Sequence, residues 1–172
     1  EEYRTVKLDK IVLGFECSDS LTEYKFDINL CYKLRNIIKE YSENKPSLVF
    51  VATRKSTVLT AETLFKEAAF FWNIKHRDQL KTISSKIKDT KLSTFLLKGI
   101  AVHHAGLEFS DRQVIEKAFF DGYIPVLIST STLSMGINLP AHLVIVKGTF
   151  HYVSGHCVEY TSTELLQMIG RA

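Results

Sequence analysis

Residues 130–140 read Thr-Ser-Thr-Leu-Ser-Met-Gly-Ile-Asn-Leu-Pro and separate two short apolar runs, 124–128 and 143–146. Both runs are rich in β-branched residues, a composition typical of buried strands. Parallel strands present their carboxyl ends at one edge of an open sheet, where ligands bind in α/β folds. The hydroxyl groups of residues 129–132 should therefore face solvent there and could donate hydrogen bonds to phosphate oxygens. The alternative is a Ser/Thr-rich turn that satisfies only its own backbone.

The overall composition indicates one globular domain. Of the 172 residues, 45% are hydrophobic and 11% are aromatic, and a chain of this length can bury most of its apolar side chains. The net charge of +3 allows a nucleic-acid surface without requiring one. Three separated cysteines, Cys17, Cys31 and Cys157, have no metal-binding spacing and are typical of a reducing compartment. Neither a membrane span nor a signal peptide is predicted.

Apolar runs at residues 48–52 and 99–102 are each followed by a polar turn and then a helical pattern. Strand, short turn and helix form the repeating unit of a parallel sheet, so an α/β fold with helices on both faces is predicted. Residues 4–13 are expected to form a further strand. Asp27 and Ser110 are the predicted N-caps of two helices.

The last third of the chain predicts a β-hairpin followed by a helix. Residues 143–153 are long for one strand, a turn is expected at 154–155, and residues 156–160 alternate back. Thr161 and Glu164 have the spacing of a capping box, which would open the final helix.

Four stretches, in the expected order, resemble motifs of the Ski-like group of superfamily 2 helicases. They are residues 48–54 (Leu-Val-Phe-Val-Ala-Thr-Arg, motif IV), 103–107 (His-His-Ala-Gly-Leu, motif IVa), 130–141 (motif V) and 167–171 (Gln-Met-Ile-Gly-Arg, motif VI). Within that group the chain is most similar to the meiotic crossover DNA helicases of the HFM/MER type, through residues 26–27, 44–46 and 159–167.

The resemblance covers essentially the whole chain and implies a second RecA-like domain, the helicase C-terminal domain. That domain has a three-layer α/β fold with a mostly parallel sheet, plus a β-hairpin between motifs V and VI. Residues 1–25 would be the interdomain strand and linker, and residues 26–172 would be the domain, truncated within motif VI. We expect the sequence to be a piece of a longer protein, because it lacks an initiating Met and stops inside a helical pattern.

The resemblance implies half of an ATP site. Gln167 and Arg171 would act as catalytic residues that reach the ATP phosphates, and Gly136 and Asn138 would complete the nucleotide contact. Arginine suits this role because it keeps its charge and binds oxygens in a fork. No GxxxxGK[ST] loop and no paired Asp-Glu are present, so ATP with Mg²⁺ would be held mainly by the first RecA-like domain. Residues 1–172 alone should hydrolyse no ATP.

The resemblance also implies a nucleic-acid surface along the same edge. The predicted contacts to the backbone of the strand come from Thr53, Arg54, His103, His104, Gly106, Thr130 and Thr132. In related DNA helicases a hairpin at this place parts the duplex, so Phe150 and Tyr152 could stack on bases; an ordinary edge hairpin is the alternative. No metal is expected, because nothing completes a ligand set around the adjacent histidines. Residues 72–94 are basic and are expected to form one or two surface helices. A solvated face is the favoured interpretation, and a nucleic-acid track is the alternative.

The activity implied for the parent protein is ATP-driven 3′-to-5′ unwinding of DNA, or translocation on it, in meiotic recombination. The expected partners are DNA and the first RecA-like domain, the expected location is the nucleus, and the fragment should be a monomer. Three alternatives remain open. They are an RNA helicase of the same group, a non-catalytic helicase-like scaffold that binds partners, and a metal-dependent enzyme built on the histidines.

Overall fold

A parallel four-stranded sheet forms the centre of the molecule. The computed structural model describes residues 7–18, 20, 22–67, 76–136, 138–153 and 156–172. The strands are β1 (Ser47–Val51), β2 (Ile100–His103), β3 (Val126–Thr130) and β4 (Leu143–Val146), in the order β2-β3-β1-β4. This arrangement confirms the predicted α/β fold with a mostly parallel sheet.

Helices flank the sheet, and a separate two-stranded hairpin follows β4. The helices are α1 (Glu23–Tyr41), α2 (Arg54–Glu67), α3 (Arg77–Ser84), α4 (Thr90–Leu96), α5 (Phe109–Phe120), α6 (Thr132–Gly136) and α7 (Ser162–Ile169). The hairpin strands β5 (Phe150–Val153) and β6 (His156–Glu159) pair antiparallel, as predicted. Its turn residues 154–155 lie outside the described residues. No described helix combines the length and the apolar character that crossing a membrane would require.

Burial differs among the four strands of the sheet. Strands β1 and β3 each pair with neighbours on both sides, and all their residues are buried. Strand β4 lies at an edge, and its four residues are only half-buried. Strand β2 lies at the opposite edge but is buried, because α2, α4 and α5 pack against it, whereas the main helix contact of β4 is with α7. The prediction of a buried strand at residues 143–146 is therefore right about the strand and wrong about its burial.

The basic segment contributes two helices within its described part, residues 76–94, which confirms the expected surface helices. Leu80 and Ile87 are buried in the common core, while Lys81 and Lys91 are exposed. Each buried apolar side chain of this size stabilises the fold by about 1.5–3 kcal/mol. Residues 68–75 are outside the described part of the chain.

Two predicted helix starts are wrong. Helix α1 begins one turn before Asp27, and the Thr22 hydroxyl caps it by accepting from the Lys25 N–H at 3.4 Å. The Asp27 carboxylate instead pairs with Lys147 at 2.8 Å. Ser110 lies inside the first turn of α5, and its buried hydroxyl has no hydrogen-bond partner among the described residues. Asp27 therefore forms an ion pair with a residue distant in sequence instead of capping the helix.

The predicted strand over residues 4–13 is also wrong wherever the structure describes it. Residues 7–13 have no regular structure, and Val12 is 95% exposed. A strand is stable only when a neighbour accepts its backbone hydrogen bonds, and none of the described residues 7–13 pairs with a strand of either sheet. By contrast, the capping box at the start of α7 is confirmed, with the Thr161 N–H donating to the Glu164 carboxylate at 2.8 Å.

Candidate nucleotide and nucleic-acid site

The carboxyl ends of all four parallel strands lie along the same side of the sheet. The turns that follow these ends carry most of the predicted site residues. Residues 53–54 follow β1, residues 104–106 follow β2, and residues 131–132 follow β3. The topology therefore gathers three of the four resembled motifs along one edge, which is where ligands bind in open α/β sheets.

Arg171 of motif VI lies against the hydroxyl-rich stretch of motif V. Its Nη1 donates to Asn138 Oδ1 at 2.8 Å, and its Nη2 donates to the backbone carbonyl of Ser134. Its own carbonyl accepts a hydrogen bond of 2.7 Å from the Ala141 N–H. Side-chain and backbone contacts together fix Arg171 beside residues 134–141.

The donors of Arg171 suit a phosphate ligand. A guanidinium has five N–H donors in a planar fork, and the buried Nε has no partner among the described residues. Gln167 is exposed on α7 one turn earlier, and Gly136 is the last residue of α6. The amides of Asn138 and Gln167 carry no charge, and Arg171 keeps one N–H without a partner in the described part of the chain. These residues therefore fit a site that contacts the phosphates of ATP.

The hydroxyl groups of residues 129–132 do not all face solvent, and this prediction is corrected. Ser129 and Thr130 are buried because β3 is a central strand that continues through Thr130. The Ser129 hydroxyl donates to the Thr130 carbonyl at 3.0 Å, and the hydroxyls of Thr130 and Thr132 lie 2.9 Å apart. Thr132 is exposed and Ser131 is half-buried. Thr130 can therefore act on a ligand only through its contact with Thr132.

Arg54, His104 and Gly106 form one cluster at the ends of β1 and β2. The Gly106 N–H donates to His104 Nδ1 at 3.1 Å. A Cβ atom on Gly106 would come within 2.9 Å of Arg54 Nη1, so the absence of a side chain lets the guanidinium lie across the loop. Thr53 is half-buried at the start of α2, where its hydroxyl accepts from the Ser56 N–H at 3.0 Å.

The His104 ring is set up as a hydrogen-bond donor toward solvent. Burial lowers its pKa, and the charge of Arg54 and the neighbouring His103 lower it further. The ring is therefore neutral near pH 7. Because Nδ1 accepts from Gly106, the proton of the neutral ring is on Nε2, where it could be donated to a phosphate oxygen.

His103 does not belong to this surface, contrary to the sequence prediction. Its side chain is only 4% exposed, and its Nε2 lies 2.7 Å from the Glu116 carboxylate on α5. Its buried Nδ1 has no partner among the described residues. Burial lowers the His103 pKa despite the favourable effect of Glu116. This histidine is an interior hydrogen-bonding residue.

The hairpin has one packed side and one open side. The His151 ring packs on Tyr160 with ring centroids 4.4 Å apart. Phe150 and Tyr152 alternate with His151 along β5 and are 47% and 52% exposed. The Tyr152 hydroxyl donates to Glu23 of α1 at 3.2 Å, and this hydrogen bond raises the Tyr152 pKa. Each of the two aromatic side chains is therefore only partly covered by the protein.

Lys147 is a residue that sequence reasoning missed. It directly follows β4, and its ammonium group is buried against side chains of α1 and α2. The available signal was a lysine placed at the end of an apolar run and before a glycine. No group of three or more His, Cys, Asp or Glu side chains in the described ranges could hold a metal ion.

Comparison with known proteins identifies the family. The helicase conserved C-terminal domain family matches residues 30–172. The chain belongs to this family. The resemblance of the motifs to superfamily 2 helicases, proposed from the sequence, is thereby confirmed.

Individual relatives carry helicase names. The chain is 54% identical over 172 residues to the "Probable ATP-dependent DNA helicase HFM1" of Xenopus tropicalis, covering 100% of this chain and 13% of that protein. It is 41% identical over 174 residues to the "ATP-dependent DNA helicase MER3" of Saccharomyces cerevisiae, covering 100% and 14% respectively. It is 45% identical over 141 residues to the "DExH-box ATP-dependent RNA helicase DExH14" of Arabidopsis thaliana, covering 77% and 6% respectively.

Proposed function

We propose that this chain is the second motor domain of an ATP-dependent 3′-to-5′ DNA helicase that acts in meiotic recombination in the nucleus. The contact between Arg171 and Asn138, 2.8 Å long, is the observation that carries the proposal, because it joins motifs V and VI at one edge of the sheet. The names of relatives with 54% and 41% identity support DNA as the substrate.

On the nucleotide side, the chain supplies charge and orientation. ATP, held with Mg²⁺ chiefly by the first RecA-like domain, supplies the phosphoanhydride whose hydrolysis drives movement. Arg171 places positive charge where negative charge develops on the phosphoryl group, and Asn138 orients its guanidinium. Gln167, exposed one turn earlier on α7, would complete the polar contact.

On the nucleic-acid side, the proposed contacts are to the backbone of one strand. Arg54, His104 and Thr132 offer charged or neutral donors at neighbouring strand ends, and phosphate contacts of this kind position a strand without reading its sequence. Phe150 and Tyr152 would stack on bases where the duplex opens. Closing and parting of the two domains would then move this grip along the strand.

An RNA helicase is the second candidate. The relative from Arabidopsis thaliana named as an RNA helicase is 45% identical over 141 residues, and phosphate contacts serve either nucleic acid. A scaffold that only binds partners is less well supported, because the orienting contact between Arg171 and Asn138 is in place.

The test is a strand-displacement assay with the full-length protein on 3′-tailed DNA and RNA duplexes of identical sequence. ATP-dependent displacement of DNA at the higher rate is expected. Faster displacement of RNA would replace the proposal with its alternative. Tight binding without displacement of either duplex, and without ATP turnover, would indicate a scaffold.

A further inference from the structure

Lys147 carries a charge in the interior of the domain. Its side chain is 2% exposed. The groups around its Nζ are Asp27 Oδ1 at 2.8 Å, Cys31 Sγ at 3.1 Å, Thr60 Oγ1 at 3.2 Å and Ser56 Oγ at 3.3 Å. A buried ammonium group is costly unless it is paired and hydrogen-bonded, and apolar residues often replace such a pair without loss of stability. Stability alone therefore does not explain why this lysine is present.

The lysine lies where the chain leaves the sheet for the hairpin. Its backbone N–H donates to the Phe50 carbonyl at 3.0 Å, which extends the pairing of β4 with β1 by one residue. Two residues later, the Thr149 carbonyl accepts from the Tyr160 N–H at 2.8 Å and closes the base of the hairpin. Only Gly148 and Thr149 separate Lys147 from β5, so the contacts that hold Lys147 also hold the base of the hairpin.

A second contact holds the hairpin to the same stripe of α1. Glu23, Asp27 and Cys31 are spaced four residues apart and therefore lie on one face of the helix. Glu23 accepts from the Tyr152 hydroxyl at 3.2 Å, while the other two contact Lys147. One helix face therefore contacts the hairpin at its base and partway along β5, which restricts the angle at which it projects.

The same group of side chains reaches the turn after β1. The Ser56 hydroxyl donates to Asp27 Oδ2 at 2.7 Å, and the Ser56 N–H donates to the Thr53 hydroxyl at 3.0 Å. Arg54, the next residue after Thr53, is one of the residues placed against the strand backbone in the proposed function. Lys147 thus connects the hairpin to this turn through a hydrogen-bonded path of short contacts.

We propose that Lys147 is a positioning residue that holds the hairpin and the turn at Thr53 and Arg54 in one fixed relation through α1. It touches neither nucleotide nor nucleic acid, because its side chain is enclosed. In this role it keeps the contact of Arg54 with the nucleic-acid backbone in a constant position relative to the hairpin that opens the duplex. This role in unwinding rests on the proposed function, whereas the fixed orientation of the hairpin does not.

Two variants of the full-length protein test the role in unwinding. Lys147→Met removes the ammonium group and keeps the apolar stem, and Tyr152→Phe removes only the hydroxyl that contacts Glu23. The control is Tyr24→Phe, which changes an exposed tyrosine of α1 beside Glu23. In Lys147→Met, we expect duplex unwinding to fall by about tenfold or more while DNA-stimulated ATP hydrolysis stays within about twofold. In Tyr152→Phe, the rate of unwinding relative to the rate of ATP hydrolysis should fall by less than in Lys147→Met. In Tyr24→Phe it should not change.

Hydrogen–deuterium exchange of the same proteins tests the orientation independently of helicase activity. Amides of β5 and β6 should exchange faster in Lys147→Met, while those of β1 and β3 keep the wild-type rate. An equal fall of unwinding and hydrolysis, with faster exchange throughout the sheet, would make Lys147 a purely stabilising residue and overturn the proposal. Unchanged exchange in the hairpin in both variants would also overturn it. A wild-type protein that unwinds nothing contradicts the proposed function, and the exchange comparison still decides the role of Lys147.

Discussion

The guanidinium of Arg171 donates a hydrogen bond of 2.8 Å to the side-chain oxygen of Asn138. This contact orients the arginine without neutralising it, since an amide carries no charge. Asn138→Ala should therefore lower the kcat of ATP hydrolysis by the full-length protein by about tenfold with little change in KM, because charge is kept and orientation is lost. Asn29→Ala, at an exposed asparagine of α1, is the control. Equal kcat values for both variants and the wild type would show that the contact has no catalytic role.

The two partners of the buried ion pair should respond unequally to substitution. The Lys147 side chain is 2% exposed and that of Asp27 is 29% exposed. Asp27→Ala leaves the more deeply buried charge unpaired and should lower the free energy of unfolding by about 3 kcal/mol or more. Lys147→Met leaves a carboxylate that reaches water and should cost about 1–2 kcal/mol. Urea denaturation measures both, and a greater loss for Lys147→Met would contradict this ranking.

Two hydroxyl residues near helix starts should differ in the same assay. Thr161 caps α7 with a capping box, so Thr161→Ala should reduce the free energy of unfolding by about 1 kcal/mol. The buried hydroxyl of Ser110 has no partner among the described residues. Ser110→Ala should therefore be neutral or stabilising, because an unsatisfied polar group is removed. A clear loss on Ser110→Ala would mean that its hydroxyl is hydrogen-bonded in solution.

Stability should decrease in mild acid because of two histidines. Burial lowers the pKa of both His103 and His104 below the ordinary value of 6.5. The unfolded chain then binds more protons than the folded chain as the pH falls below 6.5, so the free energy of unfolding decreases in that direction. Denaturation curves between about pH 5.5 and 7.5 should show this slope. His103→Gln should reduce the slope, and a slope unchanged in the variant would assign the effect to other groups.

The sequence was sufficient for the features that local patterns determine. Apolar runs followed by polar turns predicted β1, β2 and β3 and hence the parallel sheet. The spacing of Thr161 and Glu164 predicted the cap of α7, and the turn chemistry at residues 154–155 predicted the hairpin. In each case the signal lies within a few neighbouring residues.

Long-range contacts account for what the sequence could not show. Lys147 lies 116 residues from Cys31 and 87 from Thr60, so no local pattern indicates that they meet. His103 was placed on the surface because β2 was expected to end at Val102. The strand includes His103, which pairs with Ser129 of β3, and its side chain is therefore interior. One additional paired residue decided the role of this histidine.

The most direct test of the central claim is ATP hydrolysis by the full-length protein carrying Arg171→Lys, which keeps the charge but loses the planar fork. The chain is expected to supply this fork to the ATP phosphates. We predict that DNA-stimulated turnover falls by about a hundredfold or more while ATP binding is retained. Turnover equal to that of the wild type would contradict the assignment of Arg171 to the ATP site and, with it, the account of this chain as the second motor domain.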